Sequence, residues 1–303
     1  MAPRGRIRPA TLGPSMRLVI VSGLSGSGKS VALNMLEDLG WFCTDNIPAG
    51  LLNAFISHAV QRPRSVYDKS ALGLDARNDP GDVANLPELV RSLRKSGIAC
   101  EIIYLYADED ALLRRYGETR RRHPLVRDGV DLKAAIAAEL KLLEPITNTA
   151  DLVLDTTRMS VHELRDVIRA RVEPRSQGQL SIMFESFGFK HGIPGGADFV
   201  FDARTLPNPY WIPALQALNG RDAAVIEYLG SQPEVDALFA DIVAFIERRI
   251  PLYAKHNRAY LTVAIGYTGG QHRSVFLADR LAAHFGSAYP GVVSRHSSLH
   301  TSA

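Results

Sequence analysis

The stretch Gly23-Leu24-Ser25-Gly26-Ser27-Gly28-Lys29-Ser30 constrains this chain more than any other part of it. It fits the pattern G-x-x-x-x-G-K-[ST]. It stands between a β-rich run, Arg17 to Val21, and a segment from Gly28 to about Leu39 in which Val31, Met35, Leu36 and Leu39 recur at helical spacing. Strand, glycine turn and helix in that order make a phosphate loop. The glycines let backbone N–H groups wrap an anion, and the helix N-terminus adds partial positive charge. In such a loop Lys29 contacts the β- and γ-phosphates and the Ser30 hydroxyl ligates Mg²⁺. Gly23 to Ser30 are therefore candidate nucleotide-binding residues, Lys29 a candidate catalytic residue and Ser30 the candidate metal ligand.

The rest of the chain continues the alternation that a phosphate loop requires. Strand-like runs at 41–44, 70–74, 100–106 and 151–155 alternate with helical patterns at 51–60, 86–96, 110–119, 131–143 and 160–171. This predicts an α/β fold, a parallel sheet with helices on both faces. A polar, breaker-rich stretch at 173–179 divides the P-loop domain, 16–172, from a second, smaller α/β domain, 180–303. Strands are expected there at 180–184, 199–201 and 261–265, with helices at 235–249 and 274–285. The tail from Ser294 reads as short, polar and mobile, and residues 1–15 as a disordered leader. Two domains suit 303 residues.

Composition narrows the function classes. A net charge of +3 permits a polyanionic partner without demanding one. Two distant cysteines, Cys43 and Cys100, build neither a disulfide framework nor a zinc site, which fits a reducing cytoplasm. No apolar run approaches the ~20 residues of a membrane helix.

Asp45 and Asp75 fall just past the second and third strands, at the carboxyl edge where ligands of such sheets collect. Either could hold Mg²⁺ through water or position a nucleophile, and Asp45 joins Lys29 as a catalytic candidate. Arg114, Arg115, Arg120, Arg121 and Arg122, before His123-Pro124-Leu125, resemble the lid of a small P-loop kinase. A small-molecule kinase is thus the alternative to a regulatory nucleotide-binding protein.

A second glycine-rich turn lies near the C-terminus. Gly266-Tyr267-Thr268-Gly269-Gly270-Gln271-His272-Arg273-Ser274 follows an apolar strand and precedes a helix. Its spacing is that of a phosphate cradle, but the position of a phosphatase cysteine holds Tyr267, whose phenol, with a pKa of about 10, is a poor nucleophile. The turn is built to hold a phosphate and not to cleave it. Thr268, Gly269, Gly270, His272, Arg273 and Ser274 are its candidate ligands. The stretches 186–194 and 202–211, with Lys190, His191, Arg204 and Asn208, are candidates for the same pocket.

GLSGSGKS, TDNIP, LDARN, ESFGFKHGIP, VFDARTLPNPYW and LTVAIGYTGGQHRSV occur in this order, and together they resemble the RapZ/YvcJ family of bacterial nucleotide-binding proteins, from about Met16 to Ser294. The resemblance implies binding of ATP and GTP with weak hydrolysis, the segment assigned to GTP falling on Asp75, Ala76, Arg77 and Asn78. It also implies a phosphosugar pocket at His191, Thr268, Gly269 and Arg273, with glucosamine-6-phosphate as ligand in one member. Small regulatory RNA and an endoribonuclease are that member's partners, and a homo-oligomer is compatible with the sequence. Two features depart from the family. Tyr267 stands where members often carry Cys, and the C-terminal tail is weakly charged, which lowers the expectation of RNA binding. Lys190, Arg204, Arg221 and Arg258 are left as a candidate basic patch.

Overall fold

A strand buried on both faces of a parallel sheet needs an almost unbroken apolar run, and β1 (Arg17–Gly23) is buried at every residue after the first. The computed structural model describes residues 16–62, 66–119, 122–126, 130–172, 179–256 and 258–299. The leader 1–15, Arg120, Arg121 and positions 173–178 of the dividing stretch lie outside the described residues. In the first half, α1 (Lys29–Asp38), β2 (Phe42–Thr44), α2 (Leu52–Val60), β3 (Lys69–Gly73) and α3 (Pro80–Lys95) follow β1. Then come β4 (Ala99–Tyr106), α4 (Glu109–Thr119), α5 (Leu132–Thr147), β5 (Leu152–Asp155) and α6 (Val161–Val172). The strands form one parallel sheet in the order β2-β3-β1-β4-β5.

Because β1 sits between β3 and β4, the chain leaves it toward one side and later returns on the other. The crevice at its carboxyl end is where such sheets bind ligands, and the glycine loop occupies it. One boundary differs from the periodicity. Helix α3 starts at Pro80, six residues before the apolar pattern. The Asp79 side chain accepts from the Gly81 amide at 2.8 Å, and Pro80 fills the first helical position.

The second half contains β6 (Ser181–Gly188), β7 (Phe199–Asp202), α7 (Ala223–Gly230), α8 (Pro233–Lys255), β8 (Tyr260–Tyr267), α9 (Arg273–Gly286) and β9 (Val293–His296). They build a parallel four-stranded sheet in the order β7-β8-β6-β9. The expectation of a mobile tail from Ser294 is overturned here. Residues Val293 to His296 pair in register with Met183 to Ser186. The strand escapes the hydrophobic pattern because its polar side chains find buried partners. Arg295 ion-pairs with Glu185, and His296 lies between Ser186 and Asp279.

The two sheets meet through a packed junction. Arg171, in the last turn of α6, is fully buried, and it donates to the Ser181 carbonyl at 3.0 Å and the Thr262 hydroxyl at 3.2 Å. Its guanidinium stands 5.1 Å from the Tyr260 ring, while the Tyr260 hydroxyl donates to Glu101 at 2.8 Å. A methyl group on Gly196 would fall 2.0 Å from the Val153 carbonyl oxygen, so the halves touch at backbone distance there.

Candidate functional site

The loop after β1 opens onto a cavity of about 660 Å³. Ser25, Gly26, Ser27, Gly28, Lys29, Ser30, Asp45, Asp75 and Arg77 line it among the sequence candidates. Gly28 caps α1 with φ +105°, a conformation side chains resist, and a methyl group there would come 2.6 Å from a terminal carbon of Leu164. The Lys29 ammonium donates to the Gly23 carbonyl at 2.7 Å. Burial lowers its pKa, opposed by the charges of Glu139, Asp75 and Asp45. Gly23 and Leu24 do not line the cavity. Gly23 supplies that carbonyl, and Leu24 is core.

The carboxylates divide in role. The Ser30 hydroxyl donates to Asp45 at 3.4 Å, a loose contact between two residues that both line the cavity. A serine hydroxyl and a carboxylate so placed fit a hard cation such as Mg²⁺. Asp75 is already engaged, since Arg77 donates to it through its amide at 2.9 Å and its Nε at 2.9 Å. Burial acting alone would raise the Asp75 carboxyl, but those hydrogen bonds hold it below its ordinary value. Ala76 is buried. Asn78 accepts from the Ala49 amide at 2.6 Å and so ties the segment to the chain after β2. The expected nucleotide segment thus splits, with Asp75 and Arg77 at the cavity and Ala76 and Asn78 beneath it.

Of the arginine cluster, Arg122 lines the cavity and Arg115 is committed to the loop. Arg115 donates to the Gly26 carbonyl at 3.0 Å and the Thr156 carbonyl at 2.5 Å, and burial lowers its pKa. Sequence reasoning missed Glu139. Its carboxylate is fully buried beneath the loop and accepts from the Ser25 amide at 2.8 Å and the Ser25 hydroxyl at 2.7 Å, with His123 Nε2 at 3.0 Å. A signal was present. Ala135, Ile136, Glu139, Leu143 and Ile146 form the buried face of α5, so an acid stands in the middle of an apolar helical stripe.

The C-terminal turn joins β8 to α9. None of the amides of residues 268–274 donates to a backbone carbonyl among the described residues. Thr268 is exposed, Gly270 buried. Arg273 Nε and Ser274 Oγ are buried polar atoms without a partner among the described residues. The His272 ring is pushed toward its neutral form by burial, opposed by backbone carbonyls at Leu215 and Leu218. Arg273 is 4% exposed, lies 3.8 Å over the Tyr267 ring, and spends Nη1 on the carbonyls of Arg204 and Leu206. The Tyr267 hydroxyl donates to Asn208 at 3.1 Å. The 202–211 stretch therefore does converge on the turn, as backbone and platform. His191 is exposed and lines a different cavity of about 280 Å³, with Asp155, Arg158, Glu185 and Arg295. The Lys190 amide links its turn to the Thr268 carbonyl at 3.3 Å.

Ser186, His296 and Asp279 form a hydrogen-bonded row, 2.8 Å and 3.0 Å, that has the residue types of a hydrolytic triad. Ser186 is fully buried inside β6, so its hydroxyl is closed to a substrate, and the row fastens β9.

A parallel α/β sheet with a phosphate loop at its switch point, joined to a second parallel sheet, defines the class: a two-unit P-loop protein. Residues 16–176 match the RapZ-like N-terminal domain, and residues 180–300 the RapZ C-terminal domain. The chain belongs to the RapZ family. It is 50% identical over 285 residues to a "nucleotide-binding protein" of Alkalilimnicola ehrlichii, covering 94% of this chain and 99% of that one. A protein of the same description from Halorhodospira halophila is 50% identical over 284 residues, with 94% and 99% covered. A shikimate kinase from Bacteroides thetaiotaomicron is similar to 51% of this chain over 97% of its own, at 11% identity and a TM-score of 0.33, too low to speak of activity.

Proposed function

We propose that the front cavity binds ATP and GTP with Mg²⁺ and hydrolyses them slowly, and that the C-terminal turn holds a phosphorylated metabolite such as glucosamine-6-phosphate. The observation that carries the first part is the Lys29 ammonium, which is buried beside the cavity with a single neutral hydrogen-bond partner among the described residues, the Gly23 carbonyl. A buried cation favours an anion as its partner, and the loop amides together with Lys29 suit a triphosphate. Ser30 and Asp45 would hold Mg²⁺, which supplies charge neutralisation between the phosphates. The proximity of Asp45 to Ser30 favours a metal-site role over that of a general base, and so favours slow hydrolysis over transfer to an acceptor. Uncommitted amides, together with Arg273 Nε and Ser274 Oγ, which are buried and unpartnered among the described residues, support an oxyanion at the C-terminal turn.

Small RNA and an endoribonuclease are partners proposed from the family resemblance. Among the four basic candidates, Arg204, Arg221 and Arg258 are each paired with a carboxylate, Asp202, Asp279 and Asp198, so a polyanion must compete for them. Calorimetric titration of the full chain tests the whole reading. Lys29→Ala is expected to abolish ATP and GTP binding while sparing glucosamine-6-phosphate binding. ATP and GTP binding that survives the substitution overturns it.

A further inference from the structure

Resting on the nucleotide-site reading, we propose that Glu139 is a positioning residue that delivers the phosphate loop and Arg122 to the same phosphate as one unit. The argument starts from burial. Glu139 and the His123 side chain are both fully shielded from solvent. A buried carboxylate is costly unless its lone pairs are filled, and an apolar residue of similar volume would hold the helix as well. The charge here is filled by three donors from two segments. Ser25 gives its amide and its hydroxyl, and His123 gives Nε2.

The imidazole tautomer follows from its other nitrogen. His123 Nδ1 accepts from the Leu125 amide at 3.1 Å, so the proton of the neutral ring stands on Nε2 and is donated to Glu139. One carboxylate thereby fixes the first turn of the phosphate loop and the start of the strap 122–126. Both neighbours of His123, Arg122 and Pro124, line the nucleotide cavity. Ser25 points its amide at Glu139, so the anion nest starts at Gly26. Glu139 is also the first of the negative charges that support the Lys29 ammonium. Tyr116 closes the arrangement from α4, its ring 5.4 Å from that of His123 and 3.4 Å from the place of a methyl group on Gly26.

The consequence is coupling. If His123 serves to place Arg122, removing His123 costs what removing Arg122 costs, and removing both costs no more. The test is a double-mutant cycle on the full chain, with Mg-ATP as the probe in calorimetry. Arg122→Ala is expected to weaken binding roughly tenfold, the size of one charge-assisted contact. His123→Leu is expected to weaken it by the same factor, and the double variant to match Arg122→Ala within about twofold. His123→Gln, whose amide can still donate toward Glu139, is expected to restore most of the loss. Should His123→Leu fail to fold, Glu139→Gln takes its place in the cycle. It is expected to weaken binding more than Arg122→Ala, because it also loosens the Ser25 contacts, and adding Arg122→Ala to it is expected to cost no more than about twofold. Losses that multiply in the double variant overturn the proposal, as does an Arg122→Ala variant that binds like the parent chain. A parent chain that binds neither Mg-ATP nor Mg-GTP instead removes the nucleotide reading, and this proposal with it.

Discussion

Gly269 and Gly270 are neighbours in the C-terminal turn, and the structure gives them opposite tolerance. Gly270 has φ +72°, and a methyl group there would sit 2.4 Å from the Ser298 hydroxyl and 2.6 Å from the Gly188 amide nitrogen. Gly269 has no positive φ, and nothing lies within 4 Å of the same position. A left-handed alanine costs about 1–2 kcal/mol. Overpacking against a strand end and a buried seryl adds roughly 1–3 kcal/mol, because the Gly188 backbone cannot rotate away. Gly270→Ala should therefore destabilise the protein by about 2–5 kcal/mol, while Gly269→Ala stays within ~0.5 kcal/mol. Urea unfolding followed by far-UV circular dichroism reads both. Ser298 also accepts from the Gly188 amide at 3.0 Å, so the strained variant should loosen the segment after β9 and speed its hydrogen exchange. Equal stability of the two variants would refute the geometry of the turn.

Two further perturbations follow from buried titratable groups. Asp279 would be raised by burial, but hydrogen bonds from His296, Arg221 and Ser294 hold its folded carboxyl well below the ordinary range. A depressed folded pKa contributes stability above the unfolded value of about 3.9 that is lost as pH falls through and below it. Melting temperatures measured from pH 7 to pH 3 should thus fall less steeply in Asp279→Asn than in the parent chain, and parallel curves would contradict the assignment. Burial pushes the Cys43 thiol up to about 11 and that of Cys100 up to about 12. At pH 8 only about one thiol in a thousand or fewer is then ionised, so iodoacetamide should label the native chain far more slowly than the unfolded one. Rapid labelling of Cys100 in the native protein would show that the buried strand opens.

The parts legible in the sequence are those whose chemistry is local. The phosphate loop lies between its strand and helix within eight consecutive residues, and those residues alone determine where the backbone points. Strand β9 was illegible because its polar side chains are satisfied by partners far away in the chain, Arg295 by Glu185 and His296 by Ser186. Polarity read as exposure gives the wrong answer wherever a partner is supplied by another segment. Glu139 is the same case inside a helix. The stripe on α5 shows that it is buried, but only the fold shows that Ser25 and His123 receive it. Asn78 and Arg273 show the opposite case, ligand-type side chains with part of their hydrogen bonding taken up by the fold. Both have donors suited to a ligand, yet Asn78 donates Nδ2 to the Asp75 carbonyl while its oxygen accepts from the Ala49 amide, and Arg273 spends Nη1 on backbone carbonyls.

What separates an anion nest from an ordinary helix-capping turn is the fate of its amides. Helices α3 and α5 close their first turns with Asp79 and Asp131, whose side chains accept from Gly81 and Ala134. Helices α1 and α9, with Gly28 and His272 at their N-cap positions, have no side-chain cap. Helices α2, α7 and α8 lack one too, but α1 and α9 also follow glycine-rich turns, which leave room for an outside acceptor at their first N–H groups. In the front loop Lys29 adds a buried positive charge among those amides, held by one backbone carbonyl, that of Gly23, among the described residues. At the back, Arg273 is pinned between Tyr267 and two carbonyls and contributes a fixed one. A lysine held by one neutral contact can re-aim its rotatable donors, whereas a guanidinium fixed by a ring and two carbonyls suits a guest that arrives already shaped. That contrast supports the turnover proposed for the first nest and the retention proposed for the second.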